Sequence, residues 1–473
     1  MNNPDSKKSN SLIKDIFIFG LGTLGSKLIM FLLVPLYTNI LTPSEYGVSE
    51  LVMTAAELLI PFVSVVIFEA VLRYGLDTQY SRKDVLFSSF VVCLIGSLLT
   101  ILITPLFSFY SSISPWKWYM CTYVIIYLFH STEMMYLKVC KKNKMYAILS
   151  CVQTFILATT NILLLTKLDM GIKGYLLSII ISHLVVVFFI FMFGGVRIEL
   201  WKSKLSKKLS IEMLRYSFPL IFNNISWWVI HSSDKFMIEN MINSSSLGVY
   251  TVALKLSAII NLFVSVFSQA WSVSSIQKYD SKRENNYFFK VFEGYSFVCF
   301  FGAILLISIS KWFMRIYVGA DFFESAIYVP LMIVGTVFSA LTAFYSRLFS
   351  VVKKNKVVMA TTVIAAIANV IVNYILISVI GIWGAIIGTI CAYIIMLHLQ
   401  MFFIRKYMCV KIHVVNYVIS CILLLVISIA TTLNYYVLPI SFSCIGCLLF
   451  IKRKLIYGVL HNARQVFFKT KGG

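Results

Sequence analysis

The feature that most constrains this chain is the recurrence of apolar stretches near or above 18 residues, from its first hundred residues to its last. An α-helix rises about 1.5 Å per residue, so stretches of this length reach across a hydrocarbon core about 30 Å thick. Inside that core every backbone N–H and C=O must be bonded within its own segment, which selects helices over open strands. Polar or turn-rich joints separate fourteen runs, at 13–38, 47–68, 85–107, 118–138, 145–166, 172–193, 215–240, 247–271, 290–312, 326–349, 357–378, 382–404, 412–432 and 436–451, the last of them short. The expected fold is an all-α polytopic membrane protein with about fourteen transmembrane helices. Composition agrees, because only 13% of the 473 residues are charged, about half the share of a soluble domain.

The formal net charge of +22 raises nucleic-acid or anionic-lipid binding as an explanation, and the placement of the charge decides against it. The N-terminus, the joints after even-numbered spans (KVCKKNK, RIELWKSKLSKKL and QKYDSKREN among them) and the C-terminus hold 33 of the 41 Lys and Arg. By the positive-inside rule those segments and both termini lie in the cytoplasm, as an even number of spans also requires. Met1 to Asn10 is polar and the first apolar run has no small-residue cleavage site, so that run reads as a retained helix. The ten cysteines are scattered and read as buried thiols; Cys444 and Cys447 have no His, Asp or further Cys nearby that would suggest a metal.

The chain also repeats itself. KKNK at 141–144 recurs at 353–356, and Asn161 and Asn373 follow at the same 212-residue offset. GIKG at 171–174 and GIWG at 381–384 come next in both copies, with a two-residue deletion in the second. Earlier, LTPSEYGVSEL at 41–51 resembles INSSSLGVYTVAL at 242–254, matching Gly47 to Gly248. Kept in order, these matches argue for two pseudo-symmetric six-helix bundles, 1–200 and 201–408, followed by two extra helices and a basic tail at 409–473. Two such bundles suit alternating access around a central seam.

The residues resemble those of the Wzx-type polysaccharide flippases, within the multidrug/oligosaccharidyl-lipid/polysaccharide exporter superfamily. The likeness runs over nearly the whole chain: GLGTLGSKLIMFLLVPLYTNILTPSEYG at the start, SFPLIFNNISWWVIHSSDKFMIENMINSSSLGVYTVALKL in the seventh and eighth spans, and both KKNK joints. Its strongest element is SSDKFMI followed by LGVYTVALKL. The resemblance implies a flippase in a bacterial inner membrane that moves an undecaprenyl-diphosphate-linked oligosaccharide, the repeat unit of O-antigen, capsule or exopolysaccharide. Membrane lipids, a polymerase and other polysaccharide-assembly proteins are the partners it implies. Lipid II flippases and the drug-exporting branch share the fold and stand as alternatives.

Ionisable residues inside spans are costly, by about 2.5 to 3.5 kcal/mol at the centre on insertion scales, so they mark candidate sites. Lys27 and Glu57 each lie ten residues from the outer end of their spans, about 15 Å deep, and are positioned to meet. A structural ion pair and a substrate-facing role are equally open for them. Asp234, Lys235 and Lys255 lie in the outer halves of spans seven and eight, where the net positive trio suits a diphosphate. Glu50, Glu69 and Arg73 read as headgroup-exposed, and Glu133 with His130 as a polar contact between helices. Asn161, Asn369 and Asn373 read as interhelical bonds that also line a cavity; Trp227 and Trp228 are candidates to stack on sugar, whereas Trp116 and Trp118 fit an interfacial belt. Walker, H-E-x-x-H and nucleophile-elbow motifs are absent, and no outer joint is large enough for a polymerase or ligase, so an enzyme is not expected and no cofactor is called for. Whether the membrane potential alone drives transport, or H⁺ or Na⁺ is coupled to it, is left open.

Overall fold

A computed structural model describes residues 28–280, 285–408 and 413–453, and among these the regular structure is entirely helical. Nine of the described helices are long and apolar enough to cross a membrane, or ten if the pair Ser244–Ser257 and Ile259–Ser268, bent by 45°, counts as one span. Of the four remaining expected runs, the first lies outside the described residues up to position 27, and the described parts of all four fall on helices. Those at 13–38 and 436–451 meet short ones, Leu28–Ile40 and Val437–Ile451. Those at 118–138 and 215–240 meet long helices with polar stretches, His130–Glu133 in one and Ser232–Lys235 in the other.

The helices up to Thr251 form one compact unit and those from Val252 another. The first holds α1 (Val34–Ile40), α2 (Pro43–Ser64), α3 (Ile67–Gly75), α4 (Arg82–Ile103), α5 (Lys117–Val139), α6 (Asn143–Asn161), α7 (Gly171–Phe193), α8 (Val196–Trp201), α9 (Lys207–Met241) and the start of α10 (Ser244–Ser257). This division by packing falls later than residue 200 because α9 lies against α2, α3 and α4. The most enclosed of its apolar spans is α2, 72% buried, and the least is α6 at 22%, so α6 turns most of its surface outward.

Local chemistry explains where α2 starts and stops. Thr42 and Glu45 form a capping box: the Glu45 N–H donates to Thr42 Oγ1, and the Thr42 N–H donates to Glu45 Oε2 at 2.9 Å. Near the other end Pro61 removes one helical donor, and the helix finishes at Ser64, whose Oγ accepts the Val66 N–H at 2.9 Å. Val65 and Val66 then leave the helix, with φ of 51° and 54°. Two consecutive β-branched residues in the left-handed region make this a strained break. The expected span 47–68 is therefore divided near its end, with α3 continuing beyond it. Gly96 of α4 lets the Val63 carbonyl come close just before the break, where a Cβ would strike it.

The repeated sequence motifs fold alike. Lys141 and Lys353 both stand at φ 57°, and in each copy the next lysine closes the preceding helix, Lys142 N–H to the Leu137 carbonyl at 2.9 Å and Lys354 N–H to the Phe349 carbonyl at 2.8 Å. Gly171 and Gly381, the matched outer turns, have φ of 51° and 59°. The two-residue difference between the copies is taken up before Gly171, where α6 widens into a π-helical segment at Ile162–Lys167, whereas α14 (Asn355–Ile380) runs straight to Gly381. The matched pair Gly47 and Gly248 meet at a reciprocal crossing. A Cβ on Gly47 would strike the Ser244 carbonyl, and one on Gly248 would strike the Pro43 carbonyl. Ser244 is the repeat partner of Pro43, so the contact is isologous in miniature.

The second unit holds the rest of α10, α11 (Ile259–Asp280), α12 (Asn285–Tyr317), α13 (Val329–Val351), α14, α15 (Ile382–Ile404), α16 (Val414–Leu433) and α17 (Val437–Ile451). Gly384 and Gly388 of α15 lie against the Leu376–Ile377 backbone and the Asn373 side chain of α14, which brings these two helices close. The pair that follows the repeat, α16 and α17, packs on α12; Lys311 donates to the Thr432 carbonyl at 3.1 Å, and Lys452 pairs with Glu293 in a buried ion pair. The cysteines are not uniformly buried as expected: Cys151 and Cys447 are exposed on α6 and α17, which turn apolar faces outward.

Candidate functional site

A polar group forms where α9 crosses α2. Lys235 Nζ donates to Glu50 Oε2 and to Thr54 Oγ1, each at 3.3 Å, and the two charged side chains are only 13% and 8% exposed. Glu50 and Thr54 are one helical turn apart, so both face the same lysine. From α7, Tyr175 donates its hydroxyl to Glu50 Oε1 at 3.0 Å. Tyr37 and Tyr46 pack on Tyr175, with ring centroids 5.0 and 6.2 Å away, and shield this side of the carboxylate. Asp234, 2% exposed, accepts from the Tyr250 hydroxyl and from the Lys235 N–H at 2.9 Å. Lys235 thus stands in the field of three carboxylates, those of Glu50, Glu57 and Asp234.

The structure places the expected residues as follows. Asp234 and Lys235 lie together in the first unit, while Lys255 is half-buried on α10 in the second. Glu57 is exposed on α2, and the expected meeting with Lys27 involves a residue outside those described. Trp228 is a tie between helices, its Nε1 donating to the Thr54 carbonyl at 3.1 Å. Trp227 stacks on the exposed His231, centroids 5.4 Å apart and rings 14° from parallel. Asn161 and Asn373 are wholly buried: Asn161 donates to the Leu157 carbonyl of its own helix, and Asn373 donates to Asn369. Of the three asparagines it is Asn369 that bridges two helices, to Thr389 at 3.3 Å.

Two expectations are corrected. Glu50 is not exposed to headgroups, because α2 begins at Pro43, seven residues before it, and α7 and α9 close over it. Glu133 is 1% exposed and both its oxygens lack a hydrogen-bond partner among the described residues, so it makes no polar contact between helices; His130 does, to Gln153 of α6 at 3.1 Å. Of the lysine group, sequence reading names Glu50 only as headgroup-exposed and does not name Thr54 or Tyr175.

The family model described as "Polysaccharide biosynthesis protein" matches residues 12–273, more than half of the chain and all of the lysine group. The chain belongs to this family. A second family model, MatE, matches residues 219–375. This family member is similar to "Lsg locus putative protein 1" of Haemophilus influenzae, 24% identical over 279 residues, a match covering 55% of this chain and 64% of that protein. The matched part thus spans a little under two thirds of that relative. Among solved structures, it is similar to "Lipid II flippase MurJ, inward closed conformation", with a TM-score of 0.69, 14% identity, and coverage of 93% of this chain and 100% of the other. It is also similar to an inward-facing multidrug resistance MATE family transporter of the MOP superfamily, with a TM-score of 0.64, 15% identity, and coverage of 82% and 94%. At such identities the likeness establishes a shared fold.

Proposed function

We propose that this protein is a Wzx-type flippase, which moves an undecaprenyl-diphosphate-linked oligosaccharide repeat unit from the cytoplasmic to the outer leaflet of a bacterial inner membrane. The observation that carries the reading is the family match over residues 12–273, a stretch containing both helices of the Lys235–Glu50 pair. A glycan hydroxyl left unpaired in hydrocarbon costs several kcal/mol, so unassisted flipping is very slow. Polar side chains inside the spans lower that barrier, and no bond needs to be made or broken. Lys235 is the cation for the diphosphate: its 3.3 Å contacts are long for charge-assisted bonds, and phosphate oxygens offer it shorter ones. The basic joints and both termini lie in the cytoplasm in this reading.

The test is complementation of a strain lacking its own flippase. Lys235→Gln should lower surface glycan at least about tenfold at equal protein level, as loss of a charged hydrogen bond worth roughly 1.5–3 kcal/mol implies. Full complementation by Lys235→Gln would remove the lysine from the mechanism. A second reading, export of a cationic drug, is favoured by the three carboxylates around Lys235 and by the MatE match. It requires drug resistance on expression without any change in surface glycan. Lipid II flipping would instead rescue cells depleted of their lipid II flippase.

A further inference from the structure

Span two carries FVSV at 62–65, and span eight carries the same four residues at 263–266, at the 201-residue offset that relates Gly47 to Gly248. The two copies fold differently. In the first, α2 stops at Ser64, whose Oγ accepts the Val66 N–H at 2.9 Å, and Val65 and Val66 turn left-handed. In the second, α11 continues as helix through Val266, and Ser265 Oγ donates to the Leu262 carbonyl at 2.8 Å, a bond within the helix. These four residues are thus compatible with either shape, and their surroundings choose between them.

Span eight has a break of its own, the 45° bend between Ser257 and Ile259. The residue between them, Ala258, matches Glu57, where α2 is unbroken. Yet α2 is weakened at that place: Pro61 has no N–H to give the Glu57 carbonyl, four residues back, and its ring crowds that carbonyl. Span two is therefore strained at the break it shows and weak at the break it lacks. We propose that span two is a two-position hinge, which during transport straightens through FVSV and bends at Glu57 instead, taking the shape that its counterpart in the repeat already holds. Straightening relieves two β-branched residues of left-handed backbone. The Ser64–Val66 bond and the burial of Val66 and Ile67, each 1% exposed, hold the present shape against it. Glu57 lies one turn beyond Thr54, which accepts from Lys235 at 3.3 Å, so a bend there turns the Glu57 carboxylate relative to the lysine group. The hinge does not depend on which cargo is carried.

The experiment is pulsed EPR on the full-length protein in nanodiscs, with spin labels on noncanonical residues so that the native cysteines stay in place. Labels at Ser44 and Phe62 read a bend at Glu57, and labels at Phe62 and Gln79 read the break at Val65–Val66; all three positions are exposed. Two populations are expected, the second distance lengthening as the first shortens. Val65→Gly, which suits left-handed backbone and disfavours helix, should enrich the shape described here about tenfold. Ser64→Ala, which removes the acceptor of the Val66 N–H, should enrich the other shape. In the complementation strain, Val65→Gly should lower surface glycan about tenfold at equal protein level, whereas a break that is only structural would leave it unchanged. Distances that neither variant moves overturn the hinge, and so does a Val65→Gly protein that transports like the wild type. A Ser44–Phe62 distance that stays fixed while Phe62–Gln79 varies overturns the paired change. If the wild type itself fails to complement, the flippase reading falls, and the distances still decide the hinge.

Discussion

Lys235 is conspicuous in the sequence because a charge in a long apolar helix demands an explanation, and Asp234 beside it for the same reason. The partner is not conspicuous. Glu50 lies only three residues beyond Gly47, taken as the outer end of span two, and nothing in the linear order connects positions 50, 175 and 235. Tyrosine and threonine are ordinary residues of a span, so Tyr175 and Thr54 carry no signal until α2, α7 and α9 are brought together. The pair makes a stability prediction: Glu50→Ala should destabilise the protein by about 3–5 kcal/mol, and adding Lys235→Met should return much of that loss. Thermal unfolding in detergent would decide it, since an additive double variant would mean that the two charges do not depend on each other.

Among the elements, the KKNK joints are the most legible. Their recurrence in the sequence is matched by the same left-handed lysine and the same closing hydrogen bond in both copies. Their geometry also makes them improvable, because a side chain in that region is strained and glycine is not. Lys141→Gly and Lys353→Gly should each raise stability by up to about 1 kcal/mol, seen as parallel shifts in melting temperature. The break at Val65–Val66 is hidden, as two valines in sequence promise extended or helical backbone and never a left-handed turn. The π-helical segment is hidden too: a two-residue deletion shows that lengths differ, but not which helix absorbs the difference. At the basic side, Tyr80 donates to Glu212 Oε2 at 2.6 Å, and this bond pushes its phenol up to about 12, so the tie keeps its proton throughout the neutral range.

For the whole molecule, the apolar runs locate every long helix that the structure describes, while the more polar helices α5 and α9 are not among the nine helices long and apolar enough to cross a membrane and are read as spans only from their place in the series. The boundary at 200, drawn from the repeat, separates copies in sequence; the division at Thr251 separates groups that pack, and α9 belongs to one by descent and to the other by contact. The reciprocal crossing at Gly47 and Gly248 predicts a symmetric response. Gly47→Leu and Gly248→Leu should damage stability to the same degree, and the double variant should cost little more than either alone, because each already separates the same two backbones. Unfolding measurements on the three variants would show it. That crossing also bears on ancestry. A half-length precursor with this segment would already own a surface fit to clasp a second copy of itself, and joining two genes end to end would merely have tethered an existing homodimer.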